Sequence, residues 1–199
     1  MGDLKTKSNQ DIINELKGLC EVRAILNENK YTWFLSGGAL LGACRNNDLI
    51  SWDWDVGIAL IHEEISDPIF FISLFTNKGF RLTKFDDSKK NMKFVLTKYD
   101  FTYELMCWYK AGRYRKRRMF KRPALFYNSG FSLVSIRNEQ FRAPAKAEEF
   151  LEFVYGSDWR VPKVTNDKKE YFNNRNLRFQ FPRKFKNIVY RIVRIFNWK

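Results

Sequence analysis

Two aspartates one residue apart, Asp53 and Asp55, alternate with tryptophans in "ISWDWDV", and two adjacent glycines, Gly37 and Gly38, precede them in "FLSGGALLGACR". Carboxylates held this close repel one another, and the repulsion grows as water is withdrawn. A hard divalent cation, Mg²⁺ (or Mn²⁺), relieves it, since such ions favour carboxylate oxygens and commonly bridge to substrate phosphates. Treated as a strand, the segment places Ser51, Asp53, Asp55 and Gly57 on one face and Ile50, Trp52, Trp54 and Val56 on the other. The two aspartates are then about 7 Å apart. For a lone D-x-D, aspartates paired with lysines on a half-exposed strand are the plainer alternative.

The glycines favour the cation. Gly37-Gly38 ahead of a short helix frees backbone N–H groups and a helix N-terminus to face a phosphate. Arg45, one helix length later, can add a bidentate phosphate clamp. Glycine turn, helix, then a strand with paired carboxylates is the layout of a metal-dependent site acting on a nucleotide. A third carboxylate on a neighbouring strand would complete it. "FTYELMCW" offers Glu104, with Leu105 and Cys107 on the opposite face, and Asp100 is the fallback.

The elements that must hold these residues can be traced outward. Ser8 and Asp11 form a capping box, and Ile12, Leu16, Leu19, Cys20 and Leu26 recur at helical spacing, predicting a helix from Asn9 to Asn27. "YTWFLSGG" is a strand running into the glycine turn, "ALLGACR" a short helix and "LISWDWDVGIAL" a strand. Asp67-Pro68 opens another helix, which ends near Lys78-Gly79. "FRLTKFD", "MKFVLTKYD" and "FTYELMCWY" are β-rich, and "AKAEEFLEFVYG" is a helix stopped by Gly156. Helices and strands interleave, so the fold class is α+β, α/β-like.

The chain has 199 residues, with 36 Lys+Arg against 22 Asp+Glu, a net charge of +14. That surplus points to an anionic partner: nucleic acid, a phosphorylated polymer or an acidic membrane face. At 45% hydrophobic and 17% aromatic the chain is not a disordered one. Cys20, Cys44 and Cys107 lack metal-like spacing, and their odd number argues against a disulfide framework. "MGDLKTKSNQ" has no apolar run, no stretch is long enough to span a bilayer, and Thr6 gives only a minimal myristoylation match. A cytoplasmic protein, peripheral on the inner face of the membrane, is the expectation.

"LSGGALLGACRNNDLISWDWDVGI" resembles the signature of the LicD/fukutin-like phosphotransferases, members of the nucleotidyltransferase-fold superfamily. Their pattern is roughly G-T/A-L-L-G-A-x-R, a short loop, then I-P-W-D-x-D-x-D. "FRAPAKAEEFLEFVYGSDWRVP" resembles the family's closing element through Pro144, Tyr155, Gly156, Trp159 and Pro162. The two motifs, in order, cover roughly residues 31 to 162. The resemblance implies a nucleotidyltransferase-type mixed β-sheet flanked by helices. It implies a Mg²⁺-dependent transfer of a phospho-alcohol, such as phosphocholine, from a CDP-linked donor to a hydroxyl of a cell-surface glycan or glycolipid. Asp53 and Asp55 match metal-binding positions, and Gly37, Gly38 and Arg45 match the phosphate-binding turn and its arginine. Glu104 takes the place of an acidic residue, either as a third metal ligand or as the base for the acceptor hydroxyl. Three positions depart from the pattern: Gly57 where many relatives carry another Asp, Ser51 for the usual proline, and Asn46 where His is common.

Residues 1–182 are expected to form this domain. Residues 183–199 are expected to form a basic amphipathic C-terminal helix, with Phe185, Ile188, Val189, Ile192 and Phe196 on one face, suited to an anionic membrane surface, the alternative being a terminal helix docked on the domain core. Lys110 to Arg122 is a second basic stretch, either a solvated hairpin loop or a contact with a polyanionic acceptor or anionic headgroups. The single histidine, His62, is given no role. Three alternatives stand beside the main reading: a nucleotidyltransferase adding nucleoside monophosphate to its target, a noncatalytic relative suggested by Gly57, and a nucleic-acid-binding module. The last is disfavoured because the aromatics follow core-like periodicities.

Overall fold

The computed structural model describes residues 5–88, 91–118 and 120–163. The expected tail, 183–199, and the boundary at 182 lie outside the described residues.

Helix α1 (Asn9–Glu28) begins on the Ser8–Asp11 capping box, with both reciprocal bonds made. It leads into β1 (Trp33–Ser36), α2 (Gly37–Asn46), β2 (Asp55–Ile61), a 3₁₀ turn (His62–Glu64) and α3 (Pro68–Thr76). There follow β3 (Arg81–Asp86), β4 (Lys93–Lys98), β5 (Phe101–Ala111), β6 (Tyr114–Arg117), β7 (Phe120–Pro123), α4 (Leu125–Asn128), β8 (Phe131–Ile136), β9 (Glu139–Pro144) and α5 (Ala147–Tyr155). The seven-stranded sheet runs β1-β2-β5-β4-β3, and β6 and β7 extend from the far end of β5. β2 and β5 are parallel and every other pair is antiparallel, so the sheet is mixed as expected. The β8–β9 hairpin, which periodicity did not reveal, packs separately against β1 and α2.

The two faces of the sheet have different fates. Val56, Ile58 and Leu60 on β2 share a face with Tyr103, Leu105 and Cys107 on β5, all buried. Helix α1 lies here with Leu16, Leu19, Val22 and Leu26 inward, and the Tyr103 hydroxyl donates to the Glu15 carbonyl at 2.9 Å. Helix α3 adds Phe71 and Phe75, whose rings meet Phe94 and Phe80 at 4.7 and 5.8 Å. The opposite face carries Asp55, Gly57 and Ala59 beside Thr102, Glu104 and Met106. Among the described residues its far end is roofed, where Phe34 and Trp108 meet Tyr127 of α4 and Phe34 meets Phe150 of α5. At the other end, nearer Ser36, Asp55 is exposed.

One expected element is shorter than its pattern. The strand begins at Asp55, and residues 51–54 leave it through a turn at Ser51 and Trp52, with the Asp53 N–H donating to the Ile50 carbonyl at 3.2 Å. Trp54 imposes the bend. Its ring stacks on Phe101 at 6.1 Å and 8° between planes, and its indole N–H donates to the Lys5 carbonyl at 3.0 Å. Burying that much aromatic surface outweighs continued β-pairing of a polar segment.

Candidate active site

The first two turns of α2 and the end of the 51–54 turn meet at the mouth of the sheet. Gly37 has φ +64°, which turns the chain from β1 into the helix. The helix N-cap, Ser36, makes no side-chain capping bond. First-turn N–H groups lack partners within a helix, so an uncapped start can receive an anion. A Cβ at position 38 would overlap the Asp53 carboxylate, so glycine there lets the acid lie against the helix backbone. Asp55, the first residue of β2, follows on the open face of the sheet.

Burial and the neighbouring Asp55 push the Asp53 carboxyl up to about 7; Glu15 adds to the rise, and Lys7 and a hydrogen bond from the Asp55 backbone oppose it. Glu15, on α1, is fully buried and ion-paired with the buried Lys7. Its own carboxyl is raised by desolvation, with Asp55 contributing in the same direction, and its Oε1 has no partner among the described residues. Lys7 is held there by its backbone, whose N–H donates to the Ser51 carbonyl at 2.7 Å. The mouth of the sheet therefore carries an acidic cluster, with Lys7 as a counter-charge on its buried side. Neither Glu15 nor Lys7 stood out in the sequence. The available signal was a glutamate within the apolar stripe of α1, between Ile12 and Leu16.

The other expected site residues are placed less closely. Glu104 pairs in register with Gly57, so it lies one pleat repeat, about 7 Å, along from Asp55 on the same face. Its carboxylate is ion-paired with Lys93 of β4. Among the described residues, no three His, Cys, Asp or Glu side chains gather as a metal cage. Asp100 occupies a two-residue hairpin turn with Tyr99, at φ +65° and +53°, and is exposed. Arg45 sits in the last turn of α2, about 12 Å along the axis from Gly37. It lines a groove with Trp52, Tyr155 and Trp159, and its buried Nε has no acceptor among the described residues. Gly57, where the resembled pattern has an aspartate, lies close under β1: a Cβ there would come within 2.8 Å of the Ser36 carbonyl oxygen.

Comparison with known proteins identifies the family and the fold. The family model described as "LicD/FKTN/FKRP, nucleotidyltransferase domain" matches residues 30–146, more than half of the chain. No curated protein matches in sequence. The solved structure of ANT(2'')-Ia in complex with adenylyl-2''-tobramycin superposes with a TM-score of 0.50 at 14% identity, covering 78% of this chain and 82% of that one. The solution structure of the antibiotic-resistance factor ANT(2'')-Ia gives 0.52 at 12% identity, covering 92% and 99%. Lincosamide antibiotic adenylyltransferase LnuA, lincomycin-bound, gives 0.50 at 12% identity, covering 86% and 96%. The fold is that of the nucleotidyltransferases.

Proposed function

This chain belongs to the LicD/FKTN/FKRP family of nucleotidyltransferase domains, and from that premise we propose that it is a phosphotransferase. In this reading it moves a phospho-alcohol from a CDP-linked donor to a hydroxyl of a cell-surface glycan or glycolipid. The observation that carries the proposal is the contact of the Asp53 carboxylate with Gly38, which brings the acidic pair and the uncapped start of α2 to one point on the sheet.

The donor set suits Mg²⁺, which is commonly held by one or two carboxylates together with substrate phosphates and water. Asp53 and Asp55 would hold it, and when bound it would neutralise the donor diphosphate and its leaving nucleoside monophosphate. The first-turn amides of α2 would receive a non-reacting phosphate oxygen, and Gly38 would keep that approach open. Glu104, with Lys93 beside it, stands one pleat repeat from Asp55 and would accept the acceptor hydroxyl's proton. Oxygen of the acceptor then bonds to phosphorus as the bond to the nucleotide's bridging oxygen breaks, a displacement accelerated mainly by positioning and charge neutralisation. Arg45, in its groove with Trp52, is assigned to the donor's nucleotide end rather than to the glycine turn.

The place of work in this reading is the cytoplasmic face of a membrane, supported by the basic amphipathic pattern of residues 183–199. Among the described residues, no helix is long and apolar enough to cross a membrane.

The test is a thermal-shift and turnover screen of CDP-choline, CDP-glycerol and CDP-ribitol with and without Mg²⁺, on the wild type and Asp55→Ala. A shift that needs both metal and one donor, and is lost in Asp55→Ala, is the expected result. Undiminished turnover in Asp55→Ala would overturn the metal role. Product mass separates a gain of phospho-alcohol from a gain of nucleotide, the outcome that the adenylyltransferase neighbours make the chief competitor.

A further inference from the structure

The basic stretch from Lys110 to Arg122 is neither a solvated loop nor evenly exposed. β5, β6 and β7 form an antiparallel ribbon in which Arg115 stands opposite Lys110 and Arg122 opposite Arg115. Arg115, Arg117 and Arg122 therefore share the sheet face of Glu104, Met106 and Trp108. They are only 8%, 7% and 7% exposed. Three guanidiniums are thus withdrawn from water at one place, and among the described residues one carboxylate forms an ion pair with them: Glu63, with Arg115.

Their remaining contacts are weak. Arg115 reaches the Trp108 carbonyl at 3.4 Å and the Asn128 side-chain oxygen at 3.5 Å. Arg122 reaches the Tyr127 hydroxyl at 3.4 Å and lies 4.2 Å over the Trp108 ring. Nε of all three arginines, and the indole N–H of Trp108, are buried donors without an acceptor among the described residues. The electrostatic neighbours of Arg117 include Glu104 on one side and Arg118 and Arg122 on the other, and the buried Tyr127 hydroxyl senses all three buried arginines. Four orphaned donors around an excess of positive charge call for an oxyanion, because water can accept their hydrogens but cannot balance their charge.

We propose that Arg115, Arg117 and Arg122 form a second anion pocket, separate from the glycine turn, that takes a phosphoryl group of a substrate. The β5–β6 register brings Arg117 level with Trp108, two pleat repeats beyond Glu104, so this cluster lies on the same sheet face as the acidic pair but at its roofed end, roughly 20 Å along from Asp55. The inference rests on the transferase reading for its substrate, but the pocket's affinity for phosphate does not depend on the metal.

The experiment measures inorganic phosphate binding in EDTA, by calorimetry and by thermal shift, on the wild type, Arg117→Met and Arg117→Lys. Wild-type protein should bind phosphate and melt higher with it. Arg117→Met should bind at least tenfold more weakly, yet melt no lower than the wild type without phosphate, because it loses an uncompensated buried charge. Arg117→Lys, which keeps the charge but not the fork, should fall between them. No phosphate binding by the wild type, or equal binding by both variants, would overturn the proposal. Glycerol 3-phosphate and CDP then identify the source: whichever loses affinity in Arg117→Met occupies the pocket, and if neither does, the pocket is not a substrate site and the proposal fails. Asp55→Ala should leave phosphate binding in EDTA intact while abolishing Mg²⁺-dependent CDP binding, so the two readings fail separately.

Discussion

One face of the sheet carries two charged regions of opposite sign, the acids at its mouth and the arginines under its roofed end, and they are built in opposite ways. At the mouth, Asp53 and Asp55 are short side chains whose positions are set by the backbone. Trp54, stacked on Phe101, fixes the turn, and Gly38 admits the Asp53 carboxylate. On the β6–β7 hairpin the charges sit at the ends of long side chains, and Arg122 is steadied by the faces of Trp108 and Phe150 at 4.2 and 5.0 Å. Each region holds one buried or half-buried ion pair among the described residues: Lys7 with Glu15 on the acidic side, Arg115 with Glu63 on the basic side. Buried like charges are tolerated in a functional site when a ligand brings the missing charge. Short acids on a rigid turn suit an ion that demands tight coordination, whereas a fork on a long arm suits a phosphate.

Removing an inner counter-charge is the severest way to break this contrast. Lys7→Met leaves Glu15 buried without its partner, and breaking a buried pair in this way costs about 3–5 kcal/mol. Urea denaturation at pH 7 should show that loss; less than about 1 kcal/mol would mean that Lys7 is not what holds the acidic side together. Next comes Gly38→Ala. The atoms that its Cβ would strike belong to the end of the Asp53 side chain, which can swing away. The fold should survive with little change in melting temperature, but turnover should fall at least ~100-fold, about 2.7 kcal/mol of barrier. An active Gly38→Ala enzyme would detach Asp53 from the chemistry.

The mildest test sharpens the acidic side by pH. The Asp53 carboxyl titrates at about 7 in the fold against 3.8 for an unperturbed aspartate, so the native state binds its proton more tightly. Stability from this group is complete below pH ~4 and is lost as pH rises through ~7. Asp53→Asn removes that slope. In EDTA the variant should gain stability relative to the wild type between pH 4.5 and 7.5, as read by chemical denaturation at both values. Mg²⁺ should narrow the difference at pH 7.5 for the wild type alone. A constant difference across that range would show that the carboxylate is not under repulsion.

The acidic side was legible in the sequence because its grammar is local. Gly37, Gly38, Asp53 and Asp55 lie within one short segment, and the capping box and the Pro68 helix start obey equally local rules. The basic side was not. In "RYRKRR" every position but one is cationic, so no alternation of character marks Arg115 and Arg117 as inward, although the strand's period turns them so. The β8–β9 hairpin escaped for a related reason: Leu133 and Val134 are flanked by polar residues, and the pair sits apart from the main sheet. The turn at 51–54 is not legible in the sequence because strand periodicity carries no information about Phe101, almost fifty residues away, onto which Trp54 folds.

The tight seam between β1 and β2 has a consequence for how this site can change. With only a hydrogen at position 57, the Ser36 carbonyl has moved into the space that a side chain would need, and the Met106 methyl closes it from below at 3.2 Å. A third aspartate cannot return there by one substitution; the strand carrying the glycine turn would have to retreat first. Whatever this molecule coordinates, it does so with the acids it now has.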